Sequence, residues 1–148
     1  MDSLTYHLKN SLGHLMGRTS RAIMSRLQKR FAAAGYSISV EQWLLLVNLR
    51  NADNQFHQQL ADNTFKDKTT VTRLLHSLEE KGLARRCTGT RDRRQKCISI
   101  TAQGKKLLRQ LKPLALEVQR GALQDVAEHE LAACRDVLLK IYGNVTKK

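Results

Sequence analysis

Residues 89 to 96 read GTRDRRQK, in which Arg91, Arg93, Arg94 and Lys96 surround one acid, Asp92, and no side chain is apolar. A guanidinium donates in a planar fork that fits phosphates and base edges, and a carboxylate beside it can fix its rotamer through two bonds. The preceding segment, KDKTTVTRLLHSLEEKGL, adds Lys68, Thr69, Thr70, Thr72, Arg73, His76 and Ser77, and Arg86 follows it. Ten Lys and Arg stand against four acids between Lys66 and Cys97, a surplus of six within a net charge of +13. Charge gathered in about a fifth of the chain implies an anionic partner, most simply nucleic acid. Catalysis is not indicated, because the five His are scattered. The three Cys (Cys87, Cys97, Cys134) form no CxxC pair, so neither a metal site nor a cofactor is expected.

These groups need elements to hold them. In the segment 67–81, Val71, Leu74, Leu75 and Leu78 recur with helical spacing and make one apolar face. Thr69, Arg73, His76 and Glu80 lie opposite, with Thr72 and Ser77 at the sides. Asp67 can cap the start, and Gly82 with Leu83 reads as a glycine stop with a following apolar contact. Beyond Gly82 the period changes. ARRC and KCISIT read as two short strands joined by the basic loop, a hairpin with a long tip. Cys87 and Cys97 flank that tip and can approach across the hairpin. The favoured reading is of two half-buried small apolar residues in a reducing compartment.

The remaining chain reads as helix. Leu4, Leu8, Leu12, Leu15, Ile23, Leu27 and Phe31 form a stripe over 4–33, stopped at Gly35. Ser39 and Gln42 fit a capping box for a buried helix at 40–51, with Ile38 and Trp43 as its staple. NADNQ reads as a loop, and HQQLADN (57–63) as a short helix. Thr101 opens a helix that Pro113 should kink or locally break. A last helix at about 128–145 carries Leu131, Cys134, Leu138 and Ile141 on one face. At 148 residues the chain suggests one domain, or one compact unit with extensions. No apolar run reaches membrane-spanning length and the start is unlike a signal peptide, so a cytoplasmic, membrane-free protein is expected.

The order helix, helix, short helix, helix, strand, basic loop, strand is that of a winged helix-turn-helix. The fold class is thus mainly α with a small β-hairpin wing, flanked at both ends by long helices. KTTVTRLLHSLEEKGLARR, TRDRRQKCISIT and AQGKKLL together resemble the multiple-antibiotic-resistance regulator (MarR) family of bacterial transcription factors, over nearly the whole chain. The resemblance implies a homodimer with a dimerisation helix at 1–34, a DNA-binding lobe at 35–101 and C-terminal dimerisation helices at 102–148. Leu4, Leu8, Leu12, Leu114, Val118, Leu138, Ile141 and Tyr142 are candidate dimer residues.

It also implies a sequence-specific regulator of repressor type, with 67–81 in the major groove and the wing in the minor groove of double-stranded DNA. Arg73 would bond guanine O6 and N7. Arg93 or its neighbour Arg94 would enter the minor groove, with Asp92 as the supporting carboxylate. Many relatives release DNA on binding a small aromatic or phenolic effector; here His14, Met16, Arg18, Trp43 and Val47 are candidate contacts. The alternative is a nucleoid or nucleic-acid-binding protein without sequence choice.

Overall fold

The computed structural model describes residues 7–51, 55–56, 67–88 and 96–147. A 3-10 turn at Leu8–Asn10 precedes helix α1 (Leu12–Ala33), helix α2 (Val40–Asn51) and strand β1 (Gln55–Phe56). Helix α3 (Lys68–Glu80), strands β2 (Ala84–Thr88) and β3 (Lys96–Ile100), and helices α4 (Ala102–Ala122) and α5 (Glu128–Thr146) follow. This is the expected mainly-α chain with a small antiparallel hairpin. The short helix expected at 57–63, the wing tip at 89–95 and Leu4 lie outside the described residues.

The chain divides into two compact units, Met1–Val118 and Gln119–Lys148. The core of the first unit joins Leu27 and Phe31 of α1 to Leu45, Leu46 and Leu49 of α2. Val71, Leu74, Leu75 and Leu78, the face expected of α3, close it from another side. Ile98 and Ile100 of β3 and Leu111 of α4 complete it. Burying each such Leu or Ile contributes roughly 1.5–3 kcal/mol, so the apolar face of α3 fixes which face is left for solvent.

Backbone chemistry sets the element ends. Gly35 (φ +89°) and Gly82 (φ +74°) adopt the left-handed conformation that L side chains resist. At α1, Tyr36 N–H donates to Phe31 O and Gly35 N–H to Ala32 O, both at 3.0 Å. At α3, Leu83 N–H donates to Leu78 O and Gly82 N–H to Glu79 O, both at 2.9 Å. Both ends are Schellman motifs. The capping box is present, since Ser39 N–H donates to Gln42 Oε1 and Gln42 N–H to Ser39 Oγ, each at 3.0 Å. Gln28 of α1 clamps the same corner, donating from Nε2 to Ile38 O and accepting Val40 N–H, both at 2.9 Å.

Three expectations are corrected. The 4–33 stripe is not one helix: Ser11 is extended and its hydroxyl accepts His14 N–H, so it caps α1 anew. The sheet has a third strand, because Gln55 and Phe56 pair with Ile98 and Cys97, giving the order β1-β3-β2. Helix α4 continues through Pro113, with the one ladder bond missing that a proline cannot donate. The bond that Pro113 cannot donate would have gone to the carbonyl of exposed Arg109, where water can serve instead. Val118 and Leu114 belong to this core, so packing within one chain uses them.

In the second unit, Glu130 Oε1 accepts Ala127 N–H at 3.0 Å and caps α5. No residue of α5 is buried. Leu138, Leu139, Tyr142 and Val145 are exposed along it, Leu139 at 70% and Val145 at 76%.

Candidate nucleic-acid interface

Helix α3 is held by its two ends and by one side contact. At its start Asp67 accepts Thr70 N–H at 2.7 Å and Thr70 Oγ1–H at 2.9 Å. The Thr70 backbone N–H, then its hydroxyl, hold the Asp67 carboxyl below its ordinary value of 3.8. Near its end, buried Gln42 donates from Nε2 to Ser77 Oγ at 2.6 Å. Lys81 Nζ donates to Ser37 O at 2.6 Å and to Gln42 Oε1 at 3.3 Å. One Gln side chain therefore caps α2 and ties α2 to α3. Thr101 fixes the hairpin to the same end: its N–H donates to Leu83 O, its hydroxyl donates to Gly82 O, and that hydroxyl accepts Gly104 N–H.

The face of α3 turned away from the core forms a surface concavity of about 570 Å³. Lys68, Thr69, Thr72, Arg73 and His76 of α3 line it, with Arg86 from β2. Arg86 is oriented by Glu79, its Nε–H lying 3.0 and 3.1 Å from the two carboxylate oxygens. The contact uses the Nε edge and leaves the outer guanidinium edge for another acceptor. His76 Nε2 lies 3.1 Å from Glu80 Oε1, and Thr72 Oγ1 donates to Lys68 O at 2.9 Å. Lys68, Thr69 and Arg73 are exposed. Three cations and two hydroxyls beside a solvent-facing helix can bind phosphate and present donors to base edges.

Six residues expected to contact DNA thus share one surface. Two others do different work: Thr70 is bonded to the Asp67 cap, and half-buried Ser77 accepts from Gln42 behind the helix. Arg91, Asp92, Arg93 and Arg94 lie outside the described residues. Lys96 stands at the first position of β3, opposite Thr88. Of the candidate effector contacts, Trp43 packs on the core and meets Phe31 edge-to-face, with ring centroids 5.8 Å apart. Val47, Met16 and His14 are half-buried, and Arg18 is exposed.

Two roles escaped the sequence reading. Glu79 was counted only as an acid, and Gln42 only as a cap. Glu79 and Arg86 lie on either side of the Gly82 turn, and that reversal was the available signal. The cysteine expectation is corrected too: β2 and β3 set Cys87 opposite Cys97, Cα to Cα 5.1 Å, and the two are disulfide-bonded. Cys134 is free and exposed.

A helix with an open cationic face, followed directly by a two-stranded basic hairpin, defines a winged-helix DNA-binding regulator. A model of the MarR family matches residues 38–96. Transcriptional regulator PA3341 is 33% identical, with a TM-score of 0.81, covering 93% of this chain and 100% of its own. The chain belongs to the MarR family of transcriptional regulators. Its fold is shared by Bordetella bronchiseptica BpsR, whose DNA binding is regulated by 6-hydroxynicotinic acid, at 21% identity and a TM-score of 0.84 over 93% of this chain and 97% of that one. CouR from Rhodococcus jostii RHA1, solved with p-coumaroyl-CoA, matches at 23% identity and a TM-score of 0.80 over 93% and 95%.

Proposed function

We propose that the chain is a cytoplasmic, homodimeric repressor of transcription that reads a pseudo-palindromic operator. Helix α3 enters the major groove and residues 89–95 enter the minor groove, with Arg93 or Arg94 as the inserted side chain. The observation that carries this is the shared concavity of Lys68, Thr69, Thr72, Arg73, His76 and Arg86. Thr69 and Lys68 hold phosphate, Arg73 reads a guanine, and Glu79 keeps Arg86 directed at the backbone. The uncovered apolar residues of α5 support association with a second copy, because a lone chain leaves them in water.

The effector is a small aromatic acid or a derivative of one, the class bound by BpsR and CouR. His14, Arg18 and Val47 are its candidate contacts; Trp43 takes part only through the core edge it already covers.

Selection from a randomised duplex library tests the reading. The expected product is an inverted repeat with half-sites about 10 base pairs apart. Specific binding should exceed that to scrambled duplex by roughly 10³-fold or more. Equal affinity for every duplex would instead favour a nucleoid-type protein without sequence choice. Sedimentation at the same concentration should give twice the chain mass.

A further inference from the structure

The stretch KTTVT sets three threonines in the first turns of α3, and their hydroxyls do different work. Half-buried Thr70 donates to Asp67 Oδ2 at 2.9 Å and completes the cap. Exposed Thr69 has no bonded partner among the described residues, so its hydroxyl is left to donate. Thr72 is exposed as well, yet its hydroxyl turns back onto its own helix and donates to Lys68 O at 2.9 Å. A hydroxyl carries one proton, so Thr72 has none left for an outside acceptor. What remains for a ligand is the Cγ2 methyl and the lone pairs of Oγ1. Thr72 also stands among cations. It lines the α3 concavity with Lys68, Arg73 and Arg86, one turn on from Lys68 and two turns before Glu79, which holds Arg86. Those three long side chains end in donors, so phosphate oxygens and guanine O6 and N7 find partners there without Thr72. None of the six lining residues is aliphatic, and the threonine methyls are the small apolar groups that the concavity offers.

We propose that Thr72 is a specificity-determining residue, which selects thymine through contact between its Cγ2 methyl and the C5-methyl of the base. In the major groove every base edge shows donors or acceptors, and thymine alone adds an apolar group. Turning the hydroxyl to a base acceptor would exchange the bond to Lys68 O for one to DNA, with no net gain in hydrogen bonds. Leaving it in place lets two methyls bury each other. Covering an apolar group of this size favours the complex about fourfold. Cytosine lacks the methyl, and a purine shows N7, an acceptor for which Thr72 has no proton.

This role rests on the proposed entry of α3 into the major groove. The full chain first selects its duplex from the random library. Each thymine of that duplex is then replaced, one at a time, by deoxyuridine, which lacks only the C5-methyl, and fluorescence anisotropy reads the affinity. At one thymine of a half-site the replacement should weaken binding of the parent about fourfold. Thr72→Val keeps a methyl and removes the hydroxyl, so it should keep that sensitivity at the same thymine. Thr72→Ser keeps the hydroxyl and removes the methyl, so it should bind the two duplexes equally. Both substitutions are at an exposed position, and circular dichroism melts that match the parent keep folding out of the comparison. If Thr72→Ser still distinguishes thymine from deoxyuridine there, or if Thr72→Val does not, the Thr72 methyl does not make the contact and the proposal falls. An operator in which no thymine responds for the parent also overturns it, and leaves the DNA-binding reading standing. A selection that yields no preferred sequence overturns both.

Discussion

Gly104→Ala should destabilise the protein and loosen the hairpin from α3. The added methyl would collide with the carbonyl oxygen of Leu83 and lie 2.7 Å from Ile100 Cγ1 and 3.3 Å from Cδ1. Leu83 cannot retreat cheaply. Its N–H is bonded to Leu78 O in the Schellman motif, and its carbonyl accepts Thr101 N–H at 3.1 Å. Ile100 is 4% exposed in the core. Replacing Gly by Ala in a helix ordinarily gains at most about 1 kcal/mol. Overpacking against a fixed neighbour costs about 1–3 kcal/mol, and a backbone neighbour puts the cost at the upper end. The net loss is roughly 2 kcal/mol, a fall in Tm of about 4–8 °C for a chain of this size. Thermal melts by circular dichroism at one protein concentration measure it. Gly121→Ala is the control, because its new Cβ meets nothing within 4 Å; it should leave Tm equal or slightly raised. If Gly104→Ala melts with or above the parent, the close approach of α4 to the hairpin is wrong.

Arg73→Ala should weaken operator binding by about 1–3 kcal/mol and relax choice at one base pair, read by repeating the duplex selection with the variant. Ser77→Ala should do the reverse: the buried Gln42 amide loses its acceptor, costing about 1–3 kcal/mol in urea unfolding, while the selected sequence stays unchanged. Asp67 gives a pH signature. Its carboxyl is held below 3.8 in the folded state, so the cap's contribution is fully present above that value and is lost as pH falls through the lower folded value. Asp67→Asn should therefore lose less stability than the parent between pH about 4 and about 2, a comparison made by thermal melts across that range.

The buried face of α3 and its two ends were legible because each rests on local chemistry. Leucines spaced by 3.6, an Asp cap and a Gly at positive φ act within one or two turns. The reciprocal bonds of Ser39 and Gln42 were legible for the same reason. Strand β1 was not, because two residues, Gln55 at the end of NADNQ and Phe56 just after it, carry no period, and their pairing with Ile98 and Cys97 is made across the sheet. The break at Ser11 was hidden by a stripe that continues through it: Leu8 and Leu12 keep the spacing while the backbone between them turns. Site residues divided in the same way. The expected outer face of α3 holds for Thr69, Arg73 and His76, which are exposed, as is Thr72 at its side. Ser77 sits at the margin of that face, where only the position of Gln42 decides whether its hydroxyl points outward or in.

The Gln42 bond to Ser77 and the reach of Lys81 to Ser37 fasten α3 near its C-terminal end. Gln28 of α1 grips the same corner through Ile38 and Val40. Helix α3 is thus fixed at its start by the Asp67 cap and at its end by a clasp of side chains from α2 and α3, with Val71, Leu74, Leu75 and Leu78 seated in the core between them. A rotation of α1 would be carried by Gln28 to the Ile38–Val40 corner and by Gln42 to Ser77, and would turn the outer face of α3 with it. In the proposed complex, a displacement of that face by about 1–2 Å would exceed the few tenths of an ångström that a hydrogen bond to phosphate tolerates, so a slight movement in the helical scaffold would weaken DNA binding.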